Sequence, residues 1–143
     1  MTGLEPRISI VTLGVDDMKR ARAFYERLGW SAAASSNDNV TFFNLGGMIL
    51  GLYGRKALAD DAQVEFSPGS FSGVSLAHNC GSEEQVDAVM AFAEAAGAKV
   101  VKQPQKVFWG GYSGYFSDPD GHLWEIACNP FFPLDEDGRI TAP

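Results

Sequence analysis

The 143-residue sequence lacks the features that mark several classes of protein. It contains no run of basic residues, and its formal net charge of −7 argues against nucleic acid or an anionic membrane surface as a partner. No apolar stretch approaches the roughly 20 residues of a membrane-spanning helix. Residues 1–6 show no basic segment followed by an apolar one, so we expect a cytoplasmic protein without a signal peptide.

Cysteine and histidine are scarce, with two residues of each. Cys80 and Cys128 form no disulfide framework and no metal-binding motif, and they fit a reducing compartment as small packing residues. A bridge between these two cysteines is the alternative interpretation.

The segment 115–126, Tyr-Phe-Ser-Asp-Pro-Asp-Gly-His-Leu-Trp-Glu-Ile, is the most informative part of the chain. Residues 118–121 have the composition of a tight turn between two strands. Alternation along the second strand puts Glu125 on a face with Leu123 and Ala127, among apolar neighbours. A carboxylate there is costly unless it meets a cation, a hydrogen-bond donor or water. Glu125 is therefore the first candidate for a functional residue, and a sheet-edge glutamate facing water is the alternative.

The two halves of the chain show the same order of elements. The first half predicts a strand at 7–14, a helix that Asp16 or Asp17 caps and Gly29 ends, and strands at 30–35, 40–45 and 48–53. The second half predicts a strand at 73–78, a helix with a capping box at 82–85 that Gly97 ends, and strands at 99–102, 111–117 and 122–128.

This order predicts an α+β fold built from two tandem βαβββ modules. We expect a single domain, 1–143, with modules 7–54 and 71–128, a polar linker 55–70 and an irregular tail 129–143. Side by side, the modules would form a half-open curved sheet with a barrel-like cleft and helices outside. A concave inner face of this kind is a natural ligand site.

The inner face is predicted from the alternation of strand residues. It takes Ile10, Thr12, Tyr53, Val74, Leu76, His78 and Glu125, with Phe43 or else Phe42 from the middle of the first module. Trp109 and Tyr115 are the candidates for stacking contacts, with core or dimer packing as the alternative. For His78 the alternative is a strand-end histidine bonded to backbone or water. The expected chamber is mostly apolar and aromatic with one acid, and it suits a flat or hydrophobic small molecule.

Two motifs carry a resemblance to a known family. They are Val-Asp-Asp-Met at 15–18 leading to Phe-Tyr-Glu-Arg-Leu-Gly-Trp at 24–30, and Gly-Tyr-Phe-Ser-Asp-Pro-Asp-Gly-His-Leu-Trp-Glu-Ile at 114–126. Together they resemble the vicinal oxygen chelate superfamily, which includes glyoxalase I, bleomycin-resistance proteins and extradiol dioxygenases. The resemblance covers residues 7–130.

The resemblance implies four inner-face positions at which metal-using members hold an ion. They fall at Ile10, at or beside Gly51, at Val74 and at Glu125. Only Glu125 has a ligating side chain, whereas transition-metal sites normally use three or four ligands. We therefore expect no conventional metal centre and no cofactor.

These observations leave three functions open. The first is a glyoxalase/bleomycin-resistance-like protein that binds a small apolar or aromatic molecule in the cleft. The second is a metal-dependent glyoxalase-type lyase or dioxygenase, and the third is a metal-free isomerase or epimerase with Glu125 as acid or base. The resemblance also implies a homodimer, and Trp30, Phe131 and Phe132 are apolar residues that suit such an interface.

Overall fold

The computed structural model describes residues 3–4, 6–67 and 69–142. Pro68 of the predicted linker, Pro143 of the predicted tail and positions 1, 2 and 5 of the start lie outside the described residues. The chain divides into two compact units, unit 1 up to Gly69 and unit 2 from Ser70. The described residues form three helices and two mixed sheets, both open, which confirms the α+β prediction.

Unit 1 contains a three-stranded sheet and two helices. Its elements are β1 (Ile10–Val15), α1 (Met18–Arg27), β2 (Val40–Asn44), β3 (Ile49–Gly54) and α2 (Arg55–Ala62). The strand order is β1-β3-β2, with β3 parallel to β1 and antiparallel to β2.

Helix α1 begins and packs as its sequence predicts. The Asp17 carboxylate accepts a hydrogen bond from the backbone N–H of Arg20 at 3.0 Å, which makes it the N-cap. Ala21, Phe24 and Tyr25 are buried, so the apolar stripe faces the sheet. The Tyr25 ring stacks on Trp30 with centroids 5.5 Å apart.

Two predictions for unit 1 are wrong. Residues 30–35 form no strand and contribute only an isolated bridge between Ala32 and Phe43. The backbone N–H of Ala33 still donates to the Phe42 carbonyl at 2.8 Å, but the N–H of Phe42 donates to the Ser36 hydroxyl at 3.0 Å instead of continuing a strand ladder.

The predicted linker begins with a helix. Helix α2 follows β3 directly and buries Ala59, and its sequence, Arg-Lys-Ala-Leu-Ala-Asp-Asp-Ala, is rich in helix-forming residues. The helix ends at Gln63, which has a left-handed backbone conformation with φ of 58°.

Unit 2 follows the predicted βαβββ order. Its elements are β4 (Ser75–Asn79), α3 (Glu83–Ala95), β5 (Lys99–Lys106), β6 (Tyr112–Ser117) and β7 (Leu123–Cys128). The strand order is β4-β7-β6-β5, with β4 parallel to β7 and the other pairs antiparallel.

Helix α3 covers one face of this sheet. The Ser82 hydroxyl caps it by accepting from the backbone N–H of Gln85, and the Gln85 side chain accepts in return from Gly81. Buried residues of the helix meet a sheet face on which Phe116 and Trp124 stack with ring centroids 6.2 Å apart. The opposite face of the sheet is left for the site described below.

Cys80 is buried and Cys128 is half-buried, and both are free thiols. Within the described part of the chain, no helix is long and apolar enough to cross a membrane.

Candidate functional site

The turn before β7 holds Glu125 in place. The Asp118 carboxylate accepts hydrogen bonds from the backbone N–H groups of Asp120 and His122, each at 2.9 Å. Gly121 closes the turn with a positive φ of 86°. Downstream, Trp124 and Ile126 are buried on the α3 side, and the half-buried Glu125 lies on the opposite face.

Tyr115 faces Glu125 from the neighbouring strand. The two residues are direct partners in the antiparallel pairing of β6 and β7, so their side chains share a face of the sheet. Burial is the main cause that raises the pKa of Tyr115, and the charge and hydrogen bond of Glu125 raise it further. The phenol therefore stays protonated at neutral pH and can donate to the carboxylate.

Strand β5 adds positive charge to the same face. Its pairing with β6 shifts register twice, between Val100 and Lys102 and between Lys102 and Gln105. These β-bulges make Lys102 the partner of Tyr115 and Gln105 the partner of Ser113. Lys102, Tyr115 and Glu125 consequently form one row across three strands.

Gly114 permits this close approach of β5. A Cβ atom added to Gly114 would lie 2.8 Å from the Lys102 carbonyl oxygen and 2.9 Å from the Pro104 nitrogen. Any side chain at position 114 would therefore push the bulged segment away from β6.

The loop between β5 and β6 places the Trp109 ring in the wall of a cavity. It is closed by hydrogen bonds between Val107 and Gly111 and between Gly110 and Val107, both at 3.0 Å. The ring of Trp109 occupies the space that a Cβ atom of Gly111 would take. Glycine at position 111 is thus required for this orientation of Trp109.

These elements border an open, solvent-accessible cavity of about 350 Å³ in unit 2. Its lining residues are Lys102, Gln105, Lys106, Val107, Phe108, Trp109, Ser113, Tyr115 and Glu125. Of the residues predicted from the sequence, the structure brings Trp109, Tyr115 and Glu125 together here.

The lining corrects the expected character of the chamber. Two lysines, a glutamine and a serine accompany the aromatic rings, so the wall is more polar than the predicted apolar one. Lys102, Gln105 and Lys106 were not predicted, because simple alternation along β5 does not show which residues the bulges turn toward Glu125. The sequence signal of irregular backbone here is the set of three glycines, at positions 110, 111 and 114, among aromatic residues.

Three further predicted residues lie on one face of the unit 1 sheet. Ile10 and Thr12 are on the face that carries Gly51, and Tyr53 follows Gly51 by two positions. They belong to unit 1, whereas the cavity is built from residues of unit 2.

Phe43 is corrected to a core residue. It pairs with Leu50, is 1% exposed and contacts Tyr25 with ring centroids 5.8 Å apart. The alternative, Phe42, takes the face of Gly51, since its ring lies 3.5 Å from where a Gly51 Cβ would stand.

The predicted phase of β4 is also wrong. Leu76 pairs with Trp124 and His78 pairs with Ile126, so both lie on the face opposite Glu125. Val74 precedes the strand and is 56% exposed. The β4 residues that share the Glu125 face are Ser75, Ala77 and Asn79.

Comparison with known proteins gives the family. Residues 7–126 match the model of the Glyoxalase/Bleomycin resistance protein/Dioxygenase superfamily. The chain belongs to this superfamily. The match spans both units and includes Glu125, and it confirms the resemblance carried by the motifs at 15–30 and 114–126.

Several members of the superfamily are similar over most of their length. A glyoxalase-related enzyme from Fulvimarina pelagi is 34% identical, with a TM-score of 0.86 over 97% of this chain and 100% of that one. Metallothiol transferase FosB from Shouchella clausii is 29% identical over 120 residues, 83% of this chain and 77% of that protein. Lactoylglutathione lyase from Agrobacterium tumefaciens shares the fold, with a TM-score of 0.67 and 23% identity over 88% of this chain and 96% of that one.

The strand registers allow the metal-ligand pattern of the superfamily to be tested on this chain. In unit 2, Ser75 pairs with Leu123, two residues before Glu125; in unit 1, Ile10 pairs with Ile49, two residues before Gly51. The position equivalent to Ile10 is therefore Ser75, not Val74 as the sequence suggested.

Of these four positions, only Glu125 offers a carboxylate or imidazole. Among the described residues, no group of three or more His, Cys, Asp or Glu is arranged to hold a metal ion. The donor set does not fit the three or four ligands of a conventional transition-metal centre.

Proposed function

We propose that this member of the superfamily binds a small organic molecule in the cavity of unit 2. The observation that carries the proposal is the convergence of Trp109, Tyr115, Glu125 and two lysines on one space of about 350 Å³. Small-molecule sites commonly enclose about 300–1,000 Å³ and combine aromatic walls with a few polar groups. The cavity has both features.

We further propose that binding requires no conventional metal centre. The support is the donor set, because Ile10, Gly51 and Ser75 provide no carboxylate or imidazole at the positions equivalent to the superfamily's ligands. Recognition then depends on the hydrogen-bonding and charged side chains of the cavity itself.

Isothermal titration with 2-naphthoate and 2-naphthol tests the site. At least one of these flat molecules should bind, and Trp109→Ala should weaken the binding by about five- to tenfold, because an aromatic stacking contact is lost. Phe92→Ala is the matched control. Phe92 is 57% exposed on α3 and does not line the cavity, so its removal should leave the affinity unchanged.

Absence of binding by both molecules would contradict the proposed site. Equal losses of affinity in Trp109→Ala and Phe92→Ala would also contradict it, because they would mean that the ligand binds elsewhere or that both substitutions act through the fold.

A metal-dependent enzyme is the second candidate, and the similarity to metallothiol transferase FosB favours it. A glyoxalase-type lyase, a dioxygenase or a transferase of this kind would need ligands besides Glu125. It predicts near-stoichiometric metal in protein purified without chelator, and loss of that metal in Glu125→Ala. Metal well below one equivalent would remove this candidate.

A metal-free isomerase or epimerase is the third candidate. The pairing of Glu125 with Tyr115 favours it, since an acid–base residue benefits from a positioned hydrogen-bond partner. This candidate predicts an activity that survives chelator and is abolished in Glu125→Gln.

The homodimer and the cytoplasmic location remain predictions. Of the residues suggested for an interface, Phe131 is 61% exposed, whereas Trp30 is half-buried against Tyr25. Sedimentation analysis of the purified protein would determine the oligomeric state.

A further inference from the structure

The geometry points to a specific ligand class for the unit 2 cavity: a flat, unsaturated molecule with a carboxylate or similar anion at one end and a hydrogen-bond donor at the other. This inference rests on the proposed small-molecule function and adds the chemistry of the ligand.

The anion is inferred from the lysines of β5. Lys102 and Lys106 both line the cavity, and neither has an ion-pair partner among the residues that the structure describes. The whole chain is acidic, with a formal net charge of −7, so two unpaired ammonium groups in one cavity are not part of a general basic surface. Both lysines are exposed, and a ligand anion would replace part of their hydration with a charge-assisted hydrogen bond.

The strand order separates this positive end from Glu125. Lys102, Tyr115 and Glu125 occupy successive strands β5, β6 and β7 in one row. Two strand spacings of about 4.8 Å put the backbone positions of Lys102 and Glu125 about 10 Å apart. The lysine end attracts a ligand anion, and the carboxylate end repels it. The Glu125 carboxylate instead accepts a hydrogen bond from a hydroxyl or N–H group of the ligand.

The flat body of the ligand is inferred from the two aromatic rings that line the cavity. Tyr115 lies in the middle of the row, and Trp109 lines the same cavity with its ring in the space left by Gly111. Aromatic rings in such positions favour a planar partner by stacking.

Three probes with the same ring system test the charge preference. They are 2-naphthoate, neutral 2-naphthol and cationic 2-naphthylmethylammonium, titrated by calorimetry at low and high salt. The naphthoate should bind most tightly and lose affinity as salt increases, whereas the naphthol should be insensitive to salt. Addition of a hydroxyl, as in 6-hydroxy-2-naphthoate, should increase the affinity further through Glu125.

Variants of β5 assign the effect to the lysines. Lys102→Gln and Lys106→Gln should each weaken 2-naphthoate by about tenfold, the typical cost of losing a hydrogen bond to a charged group. Both should change the affinity for 2-naphthol by less than about twofold, and Lys102→Arg should retain naphthoate binding. Lys99→Gln is the matched control, because Lys99 is on the same strand and carries the same charge but does not line the cavity.

The outcomes separate the inference from the proposed function. Binding of all three probes with equal affinity, or tightest binding of the cation, would overturn the anion preference and leave a small-molecule site. Equal effects of Lys99→Gln and Lys102→Gln would overturn the assignment to the cavity lysines. No binding by any probe would contradict the proposed function and this inference together.

Discussion

Tyr115 and Glu125 face each other in the wall of the cavity. They are partners across β6 and β7, and the carboxylate of Glu125 raises the pKa of the Tyr115 phenol. The sequence identified Glu125, because period-two alternation after a well-defined turn determines which face of β7 carries it, and it offered Tyr115 separately as an aromatic stacking candidate. It did not identify their pairing with each other, which depends on the register of the hairpin.

Replacing Glu125 by Gln should lower the pKa of Tyr115. The substitution removes the negative charge that disfavours the phenolate, and the contribution of burial remains. NMR titration of protein with ¹³C-labelled tyrosine measures each phenol separately.

Asp87→Asn is the matched control for this titration. The Asp87 carboxylate accepts a hydrogen bond from the Tyr112 hydroxyl at 2.7 Å and raises the pKa of Tyr112. Its substitution should lower the pKa of Tyr112 and leave Tyr115 unchanged. An unchanged Tyr115 pKa in Glu125→Gln would contradict an electrostatic interaction between the Tyr115 and Glu125 side chains.

The raised pKa of Tyr115 also predicts a loss of stability at alkaline pH. Because the folded-state pKa lies above the ordinary value of 10.0, the contribution of this phenol is complete below that pH and is lost as pH rises through the folded pKa. Urea unfolding at about pH 9 and pH 11 should show a smaller alkaline loss for Glu125→Gln than for the wild type. Identical losses would mean that Glu125 does not contribute.

At the scale of single elements, the sequence predicted the ends of helices and turns well but did not predict the registers of the strands. The caps of α1 and α3, the glycines after them and the turn before β7 were all visible, because each depends on a few neighbouring residues. The phase of β4 was not visible, since a parallel strand takes its register from β7 and not from its own sequence. The bulges of β5 were missed for the same reason.

Gly114→Ala should destabilise unit 2 and distort the cavity. The added methyl group would overlap backbone atoms of Lys102 and Pro104, so β5 must move, at a cost of about 1–3 kcal/mol in the free energy of unfolding. Chemical denaturation measures the loss, and weaker binding of 2-naphthoate should accompany it.

Gly51→Ala provides the matched mid-strand control. A Cβ at Gly51 would make ordinary contacts, with the Phe42 ring at 3.5 Å and the Thr12 hydroxyl at 3.6 Å. This variant should be stabilised by up to about 1 kcal/mol because alanine loses less backbone entropy on folding. Equal destabilisation of Gly51→Ala and Gly114→Ala would contradict the close approach of β5.

At the scale of the whole molecule, the two units have the same strand register but different side chains at the equivalent positions. Gly51 in β3 and Glu125 in β7 occupy equivalent positions, as do Ile10 and Ser75 in the strands parallel to them. The order of elements was enough to predict the α+β class, and the motifs at 15–30 and 114–126 were enough to indicate the family. They were not enough to predict the polar cavity, because its lysines depend on irregular pairing.

Because only one of the four equivalent positions carries a ligating carboxylate, we predict that the protein binds little metal. Protein purified without chelator should contain well below one equivalent of zinc, nickel, manganese or iron by elemental analysis, and Glu125→Ala should leave that content unchanged. One equivalent of any of these metals, lost in Glu125→Ala, would show that ligands outside the four equivalent positions complete a site.

Calorimetric titration of 2-naphthoate, before and after the wild-type protein has passed over a chelating resin, tests the central claim most directly. If the side chains of the cavity recognise the ligand by themselves, both samples will give the same Kd and the same heat of binding. Binding that disappears after the resin and returns with an added divalent metal would contradict the account.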